Sequence, residues 1–252
     1  MQLRGKTVLI TGASSGLGRA LAVALSHADN NIVVTARREG LLRELATQVE
    51  ANGSRCLVVP ADAIDPAASA RVLDAAFEAY SQVDVAFLNA GGGAATNMSE
   101  ATSEQVLRMM RINYDTLVNF LCPLIQHMRG TGGTIAYTGS PAGFFGLPKS
   151  GPYSAAKAAG RTLFDTCRIE LADTNIRLVA LYPGFTETPG LDPEDVPVKA
   201  LIIQPDRAVR EMLFAVERGR AHHLFPKRIS FLIHLARLLP EWLRRRILQL
   251  AA

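Results

Sequence analysis

Tyr153 and Lys157 stand four residues apart in Tyr153-Ser-Ala-Ala-Lys157. On a helix, that spacing puts both side chains on one face. A phenol titrates near pH ~10 and is a poor proton donor or acceptor at neutral pH. A neighbouring ammonium favours the phenolate and draws that pKa toward a working range. The pair could therefore pass a proton to or from an oxygen. Taken alone, the same pattern is also an ordinary solvated helix face.

A second group of residues could bind rather than react. Gly12, Gly16 and Gly18 punctuate Thr11-Gly-Ala-Ser-Ser-Gly-Leu-Gly, with Ser14, Ser15 and Leu17 between them. Glycines placed between a strand and a helix permit a tight turn and let backbone approach a pyrophosphate closely. The helix start then faces the phosphates with free N–H groups. A strand-to-helix turn without ligand is the plainer alternative. The next strand-like run ends Thr35-Ala36-Arg37-Arg38, with no acid. An acid there would take the ribose hydroxyls of NAD(H), whereas an arginine accommodates the 2′-phosphate of NADP(H). Arg37 and Arg38 thus favour NADP(H), with NAD(H) as the second choice. The competing view is two solvated arginines opening a helix, where the macrodipole mildly disfavours them.

These groups need a frame. Strand-like apolar runs are expected at 7–10, 32–35, 56–59, 83–88, 134–138, 176–181 and 222–225. Helical spacing of apolar residues falls between them, at 16–28, 41–49, 65–80, 103–128, 153–172 and 206–218. Asp65-Pro66 reads as an N-cap followed by proline in the first turn. Strands alternating with helices predict βαβ units and a parallel sheet. Nearly unbroken apolar strands predict helices on both faces. We therefore expect one α/β domain over residues 1–252, with a Rossmann-type, doubly wound parallel sheet in three α/β/α layers and a helical tail from 227.

At this point the sequence resembles the short-chain dehydrogenase/reductase family. Its motifs occur in the family's order over residues from about 5 to 226. They are the glycine loop, Asp62 after the third strand, Asn89-Ala90-Gly91 closing the fourth, and Asn113 in the long helix. Ser140 follows, thirteen residues before Tyr153; then come Tyr153 and Lys157, Pro183-Gly184, Thr186 and Thr188. Leu88 departs from the fuller form by replacing the first asparagine of Asn-Asn-Ala-Gly.

The resemblance implies the rest. Tyr153 would protonate a carbonyl oxygen, or deprotonate an alcohol in reverse. Lys157 would bind the nicotinamide ribose and lower the phenol pKa. Ser140 would hydrogen-bond the substrate oxygen, and Asn113 would hold a relay water. Asp62 would meet the adenine, and Asn89, Ala90, Gly91, Pro183, Gly184, Thr186 and Thr188 would complete the cofactor site. The substrate would be a small carbonyl or alcohol, the assembly a homodimer or homotetramer built on the long helices, and no metal is required. NADPH-dependent carbonyl reduction leads; the alternatives are an NAD-dependent alcohol oxidiser of the same family and a membrane-recruited dinucleotide-binding scaffold.

Phe144, Phe145, Leu147 and Pro148 lie between Ser140 and Tyr153, and Phe185, Leu191, Val196, Val198, Leu201 and Ile202 follow Pro183. They predict either an apolar substrate wall, with Phe144, Phe145 and Phe185 against the substrate, or core and subunit contact. Cys56, Cys122 and Cys167 are odd in number, far apart and set in apolar surroundings. That suggests buried free thiols, not disulfides or a metal site. No leader pattern is visible at the start, so a cytoplasmic location is expected. The net charge is +4, yet the stretch from Arg218 onward holds eight Lys/Arg against Glu241 alone. Without a nucleic-acid module or aromatic platform, nucleic acid is not an expected partner. A basic amphipathic tail with Trp242 instead suits either an anionic membrane surface or packing on the body or a partner subunit.

Overall fold

The structure is a computed structural model; it describes residues 1–252 except 94, 192–195, 197, 251 and 252, together with the side chain of 250. The last residues of the tail therefore lie outside the described residues. The chain alternates β1 (Thr7–Thr11), α1 (Gly16–Leu25), β2 (Asn31–Thr35), α2 (Glu39–Ala51), β3 (Arg55–Val58), α3 (Pro66–Tyr80) and β4 (Val85–Leu88). It continues through α4 (Ser103–Met110), α5 (Thr116–Thr131), β5 (Gly133–Thr138), α6 (Gly151–Glu170), β6 (Ile176–Pro183), α7 (Pro205–Arg218) and β7 (His222–Phe225). Two helices, α8 (Lys227–Leu238) and α9 (Glu241–Leu250), close it.

The strands form one sheet in the order β3-β2-β1-β4-β5-β6-β7. Every neighbouring pair is parallel. The order reverses between β1 and β4, which opens a crevice at the carboxyl ends of those strands. Side chains alternate across the sheet: Val8 and Ile10 enter one core with α1, α2 and α7, while Leu9 enters the other with α3, α5 and α6. The fold is the expected three-layer Rossmann type. Each fully buried Leu, Ile or Phe in these cores stabilises it by about 1.5–3 kcal/mol.

Local signals place the helices. Asp65 accepts from the Ala67 N–H at 2.9 Å and Pro66 starts α3. Thr102 and Gln105 form a reciprocal capping box at the start of α4, one that the sequence reading overlooked. The expected helix over 103–128 is divided: a π-helical turn, Arg111–Asp115, separates α4 from α5. The expectation of three buried cysteines is corrected too. All are free thiols, but Cys122 is exposed on the outer face of α5. Cys56 and Cys167 are half-buried, and burial pushes the Cys56 thiol up to about 12.

Candidate active site

The crevice at the β1/β4 reversal is built from backbone. Gly12 and Gly16 adopt φ of +69° and +56°, which glycine reaches without strain. A methyl group at Gly12 would lie 2.9 Å from Ala90 Cα, and one at Gly18 would collide with the Gly12 carbonyl. The loop is therefore packed against the end of β4 with no room for side chains. Thr11 fastens that contact, because its hydroxyl accepts from both Asn89 N–H and Ala90 N–H at 2.9 Å. Thr11 opens the glycine motif in sequence, but its fastening role depends on the neighbouring strand β4. Gly18→Ala is expected to lower the Tm by about 5 °C, because the Gly12 carbonyl cannot yield without moving backbone. An unchanged melting curve would show that the loop has slack around Gly18.

No side chain caps the first turn of α1, and no acid lies in it. Its free N–H groups suit an anion. Arg38 crosses to the loop from the end of β2, donating to Ser14 Oγ at 2.9 Å and Ser15 Oγ at 2.7 Å. Arg37 is exposed and lacks that contact. Asp62 is exposed beyond β3. Thr188 reaches the opposite side of the loop, 3.3 Å from where a Gly16 methyl would stand. Thr186 is buried and donates to the Gly184 carbonyl at 3.2 Å, while Gly184 N–H donates to Phe225 O. The crevice thus has an uncapped helix start, a glycine cradle and an arginine held at its rim. Those features fit a dinucleotide.

The reactive groups gather beside Gly91 and Gly93. Tyr153 enters in the first turn of α6, and its ring packs 3.6 Å from the position of a Gly93 methyl. Its hydroxyl hydrogen-bonds the Ser140 side chain. Ser140 starts a short turn after β5, its hydroxyl also accepting from Ala142 N–H. Lys157 is buried and donates to the Thr138 carbonyl at 3.1 Å. Its ammonium sits 5.5 Å from the Tyr137 ring centre and 5.6 Å from that of Tyr153. Asn113 is fully buried in the π turn; its amide accepts from Gly92 N–H and donates to Gly92 O at 2.7 Å. The extra residue of a π turn swings a side chain inward, and such turns recur at functional sites. Ser140, Tyr153, Lys157 and Asn113 therefore converge from three separate segments, Tyr153 and Lys157 sharing α6.

Burial raises the Tyr153 pKa, and the Ser140 hydrogen bond opposes burial. Burial also lowers Lys157 to about 8. Phe144 turns away from this group. Its ring meets Tyr182 edge-on at 5.0 Å and lines a cleft whose walls include none of the four converging residues. Phe145 and Phe185 are half-buried, Val196 is buried and Val198 is 51% exposed, so the apolar wall is partial. Thr138, whose carbonyl anchors Lys157, escaped the sequence reading, since a backbone acceptor leaves no residue signature.

The family model for short chain dehydrogenases matches residues 6–195. An uncharacterized oxidoreductase of Myxococcus xanthus is 30% identical over 240 residues, covering 94% of this chain and 93% of that protein. A short chain dehydrogenase/reductase from Burkholderia phymatum, solved in complex with NAD, is similar in structure: TM-score 0.85, 24% identity, 94% of each chain. So is an alcohol dehydrogenase from the archaeon Thermococcus sibiricus, complexed with 5-hydroxy-NADP: TM-score 0.77, 25% identity, 87% of this chain and 94% of that one.

Proposed function

The chain belongs to the short chain dehydrogenase family, oxidoreductases acting on CH–OH and C=O groups, and on that premise we propose that it is an NADPH-dependent reductase of a hydrophobic ketone or aldehyde. The observation that carries this is the hydrogen-bonded Ser140–Tyr153 pair beside a buried Lys157 that has no acid within ion-pair distance among the described residues, at the mouth of a glycine-lined crevice.

Bound nicotinamide would supply the hydride in reduction and accept it in oxidation. The glycine loop and the start of α1 would hold its pyrophosphate, and the segment from Pro183 to Thr188 would cover it. The Ser140 and Tyr153 hydroxyls would hold the carbonyl oxygen. Tyr153 would give that oxygen its phenolic proton as C=O becomes CH–OH. Lys157 and Asn113, flanking Gly91, would lie on the path that returns the proton. Phe145 and Phe185 would border the substrate. Assembly as a homodimer or homotetramer would cover Leu107 on α4 and Ile169 on α6, both well exposed in one chain.

Arg38 is the group on which NADP(H) preference rests, because it already spans Ser14 and Ser15 beside the crevice. A guanidinium facing a phosphate is worth about 1.5–3 kcal/mol, or about 10- to 100-fold in affinity. Arg38→Ala should raise the NADPH KM by that factor and leave the NADH KM within about twofold, with Arg37→Ala weaker. Equal changes for both cofactors would end the NADP(H) assignment. The activity itself is tested by NADPH oxidation over ketones, aldehydes, 3-oxoacyl thioesters and steroids. Turnover on none of them would refute the reductase reading.

A further inference from the structure

The helix α8 has its apolar side outward. Ile229 and Ile233 pin it to the body. Its polar side, with Lys227 and Arg237, lines a cleft of about 1000 Å³ shared with Arg207, Arg210 and Arg220. The remaining side carries Phe231, Leu232, Leu235 and Leu238, which are 67, 49, 45 and 82% exposed. A surface helix normally turns its apolar stripe to the core. Past Pro240, α9 adds Trp242 and Ile247, also exposed. Six of the twelve large exposed hydrophobic side chains among the described residues thus fall between 231 and 247. That clustering marks a covered face, because isolated apolar side chains need no explanation but a patch does.

The charge around the patch says what covers it. Both acids of the cleft are engaged: Asp165 pairs with Arg168 at 2.9 Å and Glu211 with His223 at 2.8 Å. Among the described residues, Arg207, Arg210, Arg220, Lys227 and Arg237 form no ion pair. Arg228, Arg245 and Arg246 are exposed on the tail itself. A second copy meeting this face about a two-fold axis would bring the same cations together. An anionic bilayer answers both features, taking the apolar side chains at its acyl boundary and the arginines and lysines at its phosphates. A tryptophan beside them suits the interface between the two zones.

We propose that α8 and α9 form a docking surface for an anionic phospholipid membrane. The surface also meets the loop beyond Ser140: the Arg237 guanidinium lies 5.5 Å over the Phe144 ring, and Arg244 lies 5.7 Å over Phe145. Resting on the proposed function, this contact implies that the carbonyl substrate is drawn from the bilayer.

Trp242 is the single tryptophan of the chain, so intrinsic fluorescence reports on this surface directly. The full chain is mixed with phosphatidylcholine vesicles, with or without phosphatidylglycerol. A blue shift and co-sedimentation are expected with the anionic vesicles alone, falling as salt rises. Arg245→Glu with Arg246→Glu should weaken binding by about 30-fold or more, at about 1 kcal/mol per cation near the surface. Leu235→Glu with Leu238→Glu should abolish it. Both double variants should retain turnover on a water-soluble ketone. No shift, or equal binding to neutral vesicles, would overturn the proposal. So would emission already blue in buffer that reddens in Leu235→Glu/Leu238→Glu as a larger oligomer dissociates, which assigns the face to a second copy. Vesicle binding with turnover of soluble but of no bilayer-dissolved carbonyl would leave the surface standing and defeat the bilayer-drawn substrate; vesicle binding without turnover of any carbonyl would leave the surface standing and defeat the proposed function.

Discussion

Tyr153→Phe should lower kcat by about a thousandfold or more while NADPH affinity stays within about twofold. The substitution removes one oxygen and leaves the ring that packs by Gly93. The glycine loop and the start of α1 lie elsewhere and Lys157 is unchanged, so cofactor binding loses little. What would be lost is the proposed proton donor. Burial keeps this phenol protonated at neutral pH, the form that reduction requires. Ser140 remains and can hydrogen-bond the carbonyl, but a serine hydroxyl is a much weaker acid. Ser140→Ala should therefore cost less, about a hundredfold, because it removes a hydrogen bond and not the donor. Kinetics paired with NADPH fluorescence titration check both variants. A Tyr153→Phe enzyme that keeps a tenth of its kcat would falsify the donor assignment.

How far the site was legible depended on the kind of information each residue carries. Tyr153 and Lys157 lie on one helix, so their spacing sufficed. The glycine loop was legible because its strand and helix neighbours are themselves periodic. Ser140 and Asn113 come from distant segments, and nothing local in the sequence ties them to Tyr153; the family resemblance did. The π turn that buries Asn113 was not legible, since its hydrogen-bond slip leaves no residue signature. Arg37 and Arg38 were equivalent in sequence, and the path of the chain beyond β2 separates them. Phe144 and Phe145 adjoin, yet they are covered by different residues of the tail, a tertiary choice. Cys122 and α8 share one lesson. Apolar spacing reveals that a helix has an apolar side, but which side meets the body is decided by the rest of the fold.

Lys157→Met should cut kcat by about a thousandfold and at the same time stabilise the fold. The ammonium is buried, donates to one carbonyl and has no carboxylate within ion-pair distance among the described residues. Burial lowers its pKa from the usual 10.5 to about 8. Below pH 8 the lysine is charged both folded and unfolded, and folding bears the whole cost of desolvating it. Between pH 8 and 10.5 the unfolded chain holds a proton that the folded one has released, so stability rises with pH across that window. The shift corresponds to about 3 kcal/mol, and loss of the Thr138 hydrogen bond offsets about 1. The variant should thus gain about 2 kcal/mol at pH 7, or about 4–8 °C in Tm, and the gain should shrink by pH 10. Urea unfolding of both proteins at pH 7 and pH 10 measures this. A variant less stable than the parent at pH 7 would mean that the ammonium is held by more than the Thr138 carbonyl. A variant both more stable and inactive would mark Lys157 as a charge kept buried for the proton chemistry of Tyr153, at a cost to the fold.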